Sequence, residues 1–142
     1  MLFGDATVLD LVDLGVETLD AEWARQMKGV RKLLVRSRHS YRLVEPYLPH
    51  GPLLTSAAAS SLIDQGLVLI GTDRYSVDDS SSLDFPLHRQ LMRAGTVIVE
   101  GLLLTHIGSG PYQLIISPLL LVGAEASPVR AFLCPHPGES SN

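Results

Sequence analysis

Two residues with metal-ligand chemistry stand twelve positions apart. His88 opens a segment that starts at Pro86 and stops at Gly95, the pattern of a short helix. Glu100 ends the β-branched run Thr96-Val97-Ile98-Val99, the pattern of a strand. Helix, turn and strand bring the chain back on itself, so the two side chains are expected at one end of a sheet. A neutral imidazole and a carboxylate suit zinc or another divalent ion. On spacing alone, a histidine at a helix start is more often a cap or a surface residue. A second candidate is the polar stretch Gly71-Thr72-Asp73-Arg74-Tyr75-Ser76-Val77-Asp78. Asp73 lies just past a buried strand, where open sheets place ligands. The commoner role of such an aspartate is to bind loop amides. The third, Ala126-Ser127-Pro128-Val129-Arg130, indicates only a turn followed by an edge strand.

The elements that must position these residues follow from pattern. Residues 7–14 read as a short strand with Val8, Val12 and Leu14 on one side and Leu9 and Leu11 on the other, one face well buried and the second partly covered. Thr18 or Asp20 caps a helix over 21–27, and Leu33, Leu34 and Val35 begin another strand. Pro46, Pro49, Gly51 and Pro52 mark an irregular connection. Thr55 or Ser56 caps a helix over 57–65, with Gly66 as its left-handed stop. Residues 67–70 form a buried strand, and 73–83 a polar loop too long for a tight turn. Strands are expected over 112–116, 119–122 and 129–133, with an interruption at Ser117-Pro118, and the tail from Cys134 to Asn142 as a frayed end. Strands that follow one another directly after Glu100 favour a mixed, barrel-like sheet with flanking helices over a doubly wound parallel one.

Composition narrows the function classes. The 142 residues fit one domain, expected over 1–133 with a flexible tail over 134–142. A 46% hydrophobic and 18% charged chain is not disordered. No apolar run is long enough for a membrane-spanning helix, and the first ten residues lack a secretory pattern. A single cysteine, Cys134, excludes an internal disulfide and suits a reducing cytoplasm. A net charge of −4 argues against nucleic acid as a partner. Lys28, Arg31, Lys32, Arg36, Arg38 and Arg42 cluster, and a solvated face is the expected reading.

Taken in order, the motifs are far more specific than any one alone. Gly71-Thr72-Asp73, Ser76-Val77-Asp78, His88 with Leu91-Met92-Arg93-Ala94-Gly95, Val97-Ile98-Val99-Glu100-Gly101-Leu102, Tyr112-Gln113-Leu114-Ile115 and Ala126-Ser127-Pro128-Val129-Arg130 follow each other. This series resembles the cyclase family of metal-dependent hydrolases, most closely its kynurenine formamidase (arylformamidase) branch. The match is good over 53–133 and looser over 8–40. The resemblance implies an α/β (α+β) swivelling β/β/α cyclase-like fold. It also implies a divalent metal, zinc or manganese, and hydrolysis of an N-formyl aryl amine or related amide by metal-activated water. His88 and Glu100 would match two metal ligands. Asp73 and Ser76 would shape the pocket mouth, and Ser37 would end a strand that reaches the site. The family's remaining ligands come from an N-terminal His-x-Gly-Thr-His-x-Asp motif that this sequence lacks, so the resemblance is to an N-terminally truncated member. Arg89 stands where the branch usually has a second histidine, and Asp79 where it often has proline.

A catalytic zinc normally takes three protein ligands and a water. His39, His50, His106 and His136 have no ligand-like spacing and read as surface or structural residues. Two expectations therefore stand side by side. One is an amide hydrolase completed by ligands from elsewhere. The other is a non-catalytic member, without metal, that binds or assembles. Both carry an expected homo-oligomer, because unpaired sheet edges favour pairing.

Overall fold

The structure, a computed structural model, describes residues 2–41 and 49–136, with the side chains of Ser40 and Tyr41 left aside. Among these residues, six strands form one strongly curled, half-barrel sheet in the order β4-β3-β2-β1-β5-β6. The strands are β1 (Phe3–Asp10), β2 (Lys32–Arg36), β3 (Leu69–Thr72), β4 (Val97–Val99), β5 (Gly110–Pro118) and β6 (Val129–Pro135). β1 to β4 run parallel, with Val8 opposite Leu34, Leu34 opposite Gly71 and Gly71 opposite Val99. β5 lies antiparallel to β1, and β6 antiparallel to β5. The expected mixed, barrel-like sheet with flanking helices is therefore present.

Among the described residues, four α-helices connect the strands: α1 (Leu11–Leu14), α2 (Ala21–Gln26), α3 (Ser56–Asp64) and α4 (Pro86–Arg93). Asp20 caps α2 by accepting from the Glu22 and Trp23 amides at 2.9 and 3.0 Å, and Thr55 caps α3 through the Ala58 amide at 3.1 Å. Thr18 instead donates to the Pro52 carbonyl. The helices cover one sheet face, where Leu9, Leu33, Val35 and Ile70 pack with Ala58, Leu62, Leu87 and Leu91. The opposite face carries a smaller core of Ala6, Val8, Leu34, Leu69, Val99, Leu114 and Ile116. Gly71 sits where β3 is crowded on this second face. A Cβ there would come within 2.4 Å of a Leu34 methyl and 2.9 Å of a Leu102 methyl.

Several boundaries differ from expectation, each for a local reason. The first strand starts at Phe3 and ends at Asp10, not at Leu14. Asp10 turns the chain into α1 by accepting from the Val12 amide, and Gly15 ends that turn at φ 67°. Val12 is accordingly exposed. The third strand starts at Leu69 rather than Leu67, because the Leu67 amide closes the end of α3 on the Leu62 carbonyl. Residues 119–122 form no strand. The Leu119 amide closes the β5–β6 hairpin on the Pro128 carbonyl, which leaves Leu120 96% and Val122 99% exposed. Pro118 pairs with Val129 and ends β5 instead of interrupting it. β6 continues through Cys134, opposite Gln113, to Pro135, so the frayed end does not begin at Cys134. The tail beyond residue 136, like Arg42 and Pro46, lies outside the described residues. Arg36 does not belong to a solvated face: it is half-buried and ion-paired with buried Asp10.

Candidate functional site

Parallel strands that end together place their following residues along one rim, the usual ligand edge of such a sheet. Asp10, Ser37, Asp73 and Glu100 all stand there, at or just past the ends of β1, β2, β3 and β4. Two clusters form along the rim.

The first joins α4 to the end of β4. The His88 Nε2 atom lies 3.3 Å from Oε1 of Glu100, and the His88 Nδ1 atom lies 2.7 Å from Oδ2 of Asp78. Glu100 is held from both sides. Its Oε1 accepts from the Val77 amide at 2.8 Å, while Gly101 and Leu102 donate backbone bonds to Arg74 and Thr72. Asp78 is 1% exposed and accepts also from the Leu87 and His88 amides, at 2.7 and 3.2 Å. Ser76 stands beside this group and accepts from the Asp78 amide at 3.1 Å. The side chains of His88 and Glu100 remain about a quarter exposed, at 26% and 27%. Both line a groove of about 660 Å³ whose apolar wall includes Met92, Val97, Val99 and Ile116.

The second cluster joins β2 to β3. Asp73 is fully buried. Its carboxylate accepts from the Ser37 amide at 2.8 Å, the Ser37 hydroxyl at 2.7 Å and the Thr72 hydroxyl at 3.4 Å. The Ser37 Oγ also lies 3.0 Å from His39 Nδ1, and the His39 ring meets His50 edge to face at 5.1 Å. Asp73 thus binds a loop amide and two hydroxyls from inside the protein. Ser37, with Glu17, Arg38 and Arg74, lines a separate cavity of about 310 Å³. The structure brings His88 to Glu100 and Ser37 to Asp73, but His88 and Glu100 line one cavity, Ser37 lines another, and Asp73 is buried behind it.

Arg74 is the charged group that sequence reasoning passed over. It is 1% exposed, and its guanidinium donates to the carbonyls of Gly51 at 3.1 Å, Pro52 at 3.2 Å and Glu17. Burial lowers its pKa, against the pull of the Asp73 and Glu17 carboxylates. Asp79, at the surface, is held below its usual pKa by hydrogen bonds from the Ser81 hydroxyl and amide. The other histidines are apart from His88: His39 and His50 are buried, His106 is exposed at φ 67°, and His136 lies 3.7 Å from Asp5. Among the described residues, no group of three or more His, Cys, Asp or Glu side chains is arranged to hold a metal. The donor chemistry of His88 and Glu100 fits two corners of a divalent-metal site and no more.

No protein-family profile matches the chain. Sequence relatives do. A kynurenine formamidase of Bacillus cereus is 36% identical over 135 residues, which are 93% of this chain and 63% of that protein. A kynurenine formamidase of Salinibacter ruber is 49% identical over 73 residues, 51% of this chain and 34% of that one. The chain thus spans less than two thirds of the length of the curated relatives it matches. Among solved structures, one described as a potential metal-dependent hydrolase with cyclase activity superposes with a TM-score of 0.78 at 25% identity, over 93% of this chain and 65% of its own. In sequence and in fold, the chain belongs to the cyclase-like family of metal-dependent hydrolases that contains the kynurenine formamidases.

Proposed function

We propose that this chain supplies the His88–Glu100 half of a divalent-metal site in a formamidase-type amide hydrolase. The observation that carries the reading is the approach of His88 Nε2 to the Glu100 carboxylate at the rim of an apolar groove. His88 and Glu100 would hold the metal, zinc or manganese. When bound, such an ion polarises an amide carbonyl and acidifies water. The groove wall of Met92, Val97, Val99 and Ile116 would seat the aryl part of an N-formyl aryl amine and exclude water from it. Ligands beyond these two would come from residues outside those described.

The test is a zinc titration of the purified chain and of His88→Ala and Glu100→Ala. Each variant is expected to bind zinc at least about tenfold more weakly than the parent, because each removes one of only two donors. Equal binding by parent and variants would overturn the assignment. Deformylation by the parent that both variants lose would establish the enzyme.

A second reading, a non-catalytic member that assembles, is favoured by the absence of a third ligand among the described residues. Less than about a tenth of a zinc per chain after reconstitution would select it over a stand-alone enzyme. Under either reading we expect a homo-oligomer. The support is an exposed edge, β6, beside exposed Phe132, Leu120 and Val122. Light scattering after size exclusion is expected to give a mass of at least two chains, and a monomer at all concentrations would refute it. The lone cysteine supports a cytoplasmic location. Among the described residues, no helix is long and apolar enough to cross a membrane.

A further inference from the structure

Helix α4 starts without a cap of its own. Phe85, at its N-cap, has φ 48° and gives no side-chain hydrogen bond. Pro86 brings no amide hydrogen, so the first amides that need an acceptor are those of Leu87 and His88. Both are taken by Asp78, nine and ten residues upstream in the preceding loop. The same carboxylate takes the His88 imidazole at 2.7 Å. Three donors therefore converge on one buried anion, which also faces the positive end of the helix.

A neutral imidazole has one proton for two nitrogens, and here a carboxylate faces each nitrogen. Asp78 is 0.6 Å closer than Glu100, by the difference between 3.3 and 2.7 Å. The Asp78 side chain is 1% exposed and that of Glu100 is 27% exposed. The shorter contact to the more deeply buried anion is the stronger hydrogen bond, so it holds the proton.

We propose that Asp78 is the positioning residue of the site. It fixes His88 in the Nδ1–H tautomer and turns the Nε2 lone pair toward Glu100. The inference rests on the metal reading for its purpose, but not for its geometry. A ligand histidine whose second nitrogen donates to a carboxylate is locked in tautomer and orientation before a metal arrives.

The test uses Asp78→Asn, which keeps an oxygen for the Leu87 amide but can turn an amide N–H toward Nδ1, in place of the oxygen that also accepts from the His88 amide. Long-range proton–nitrogen correlation spectra of metal-free protein, recorded at alkaline pH where imidazole is neutral, read the His88 tautomer directly. The parent is expected to show Nδ1–H, and Asp78→Asn to shift His88 toward Nε2–H. Zinc alone is then titrated into both, with an expected loss of about 10–100-fold in affinity for the variant. A parent His88 that is Nε2–H, or a variant that stays Nδ1–H, overturns the proposal. Where Asp78→Asn fails to fold, judged from its Leu87 and His88 amide signals, the parent tautomer alone decides. If the parent shows Nδ1–H but binds no zinc, the metal reading fails and the positioning role stands.

Discussion

Replacing Arg74 with leucine is expected to lower the unfolding free energy by about 3 kcal/mol. The guanidinium ties the carbonyl of Glu17 to those of Gly51 and Pro52, and so joins the connection after α1 to the one before α3. Removal takes a donor from three carbonyls, at roughly 1–3 kcal/mol for each left unpaired where water cannot reach; Pro52 keeps the Thr18 hydroxyl, and the Gly51 carbonyl still lies 2.9 Å from His50 Nδ1. The full sum is not expected. Burial disfavours the charge that is removed, and this offsets part of the loss. With a urea dependence of about 2 kcal/mol per M, the midpoint should fall by about 1.5 M. Arg74→Lys should recover only part of this, since an ammonium lacks the planar fork that reaches several carbonyls at once. A midpoint within about 0.3 M of the parent for Arg74→Leu would show that the clasp carries no stability, given the same slope.

Asp73→Ala is expected to cost about 3–4 kcal/mol. Its carboxylate is fully buried and accepts hydrogen bonds from Thr72 and, at 2.7 and 2.8 Å, from Ser37. Hydrogen bonds to a charged group contribute roughly 1.5–3 kcal/mol each, and the Ser37 amide would be left buried and unpaired. Asp73→Asn should cost less but not nothing, because one carboxylate oxygen becomes an N–H that faces a donor. Denaturant unfolding measures both. The zinc affinity of the His88–Glu100 pair should stay within about threefold of the parent, a shift of about 0.6 kcal/mol, since Asp73 touches neither residue. A large loss of zinc affinity with unchanged stability would instead return Asp73 to the pocket mouth suggested by its family resemblance.

These two residues also show where sequence reading stops. The meeting of His88 and Glu100 was legible because it is local: Pro86, Gly95 and the Val97-Ile98-Val99 run fix a helix, a turn and a strand that bring the ends together. The mixed sheet was legible from strands that follow Glu100 without helices. Burial of Asp73, Arg74 and Asp78 was not legible, because a polar loop reads the same whether its charges face water or satisfy amides and carbonyls. Their partners lie far along the chain, as with Ser37 and Asp73, 36 residues apart. The start of β1 was missed because Gly4 and Asp5 are poor strand formers alone. They are held there by pairing with Leu114 and Gln113. The apolar run over 119–122 misled for the converse reason: hydrophobicity suits a strand, but among the described residues no strand pairs with it.

The central place of β1 has a consequence for how the chain is made. Its parallel partner β2 follows within about thirty residues, but its antiparallel partner β5 pairs Ile115 with Phe3, 112 positions later. At roughly 5–20 residues per second, a ribosome needs on the order of 5–20 s to close that gap. Through this interval one side of β1 stays unpaired while the apolar residues of β2 and β3 are already present. Slowing translation between β4 and β5 should therefore lengthen the aggregation-prone phase, whereas late pauses beyond β6 should leave the yield of folded chain unchanged.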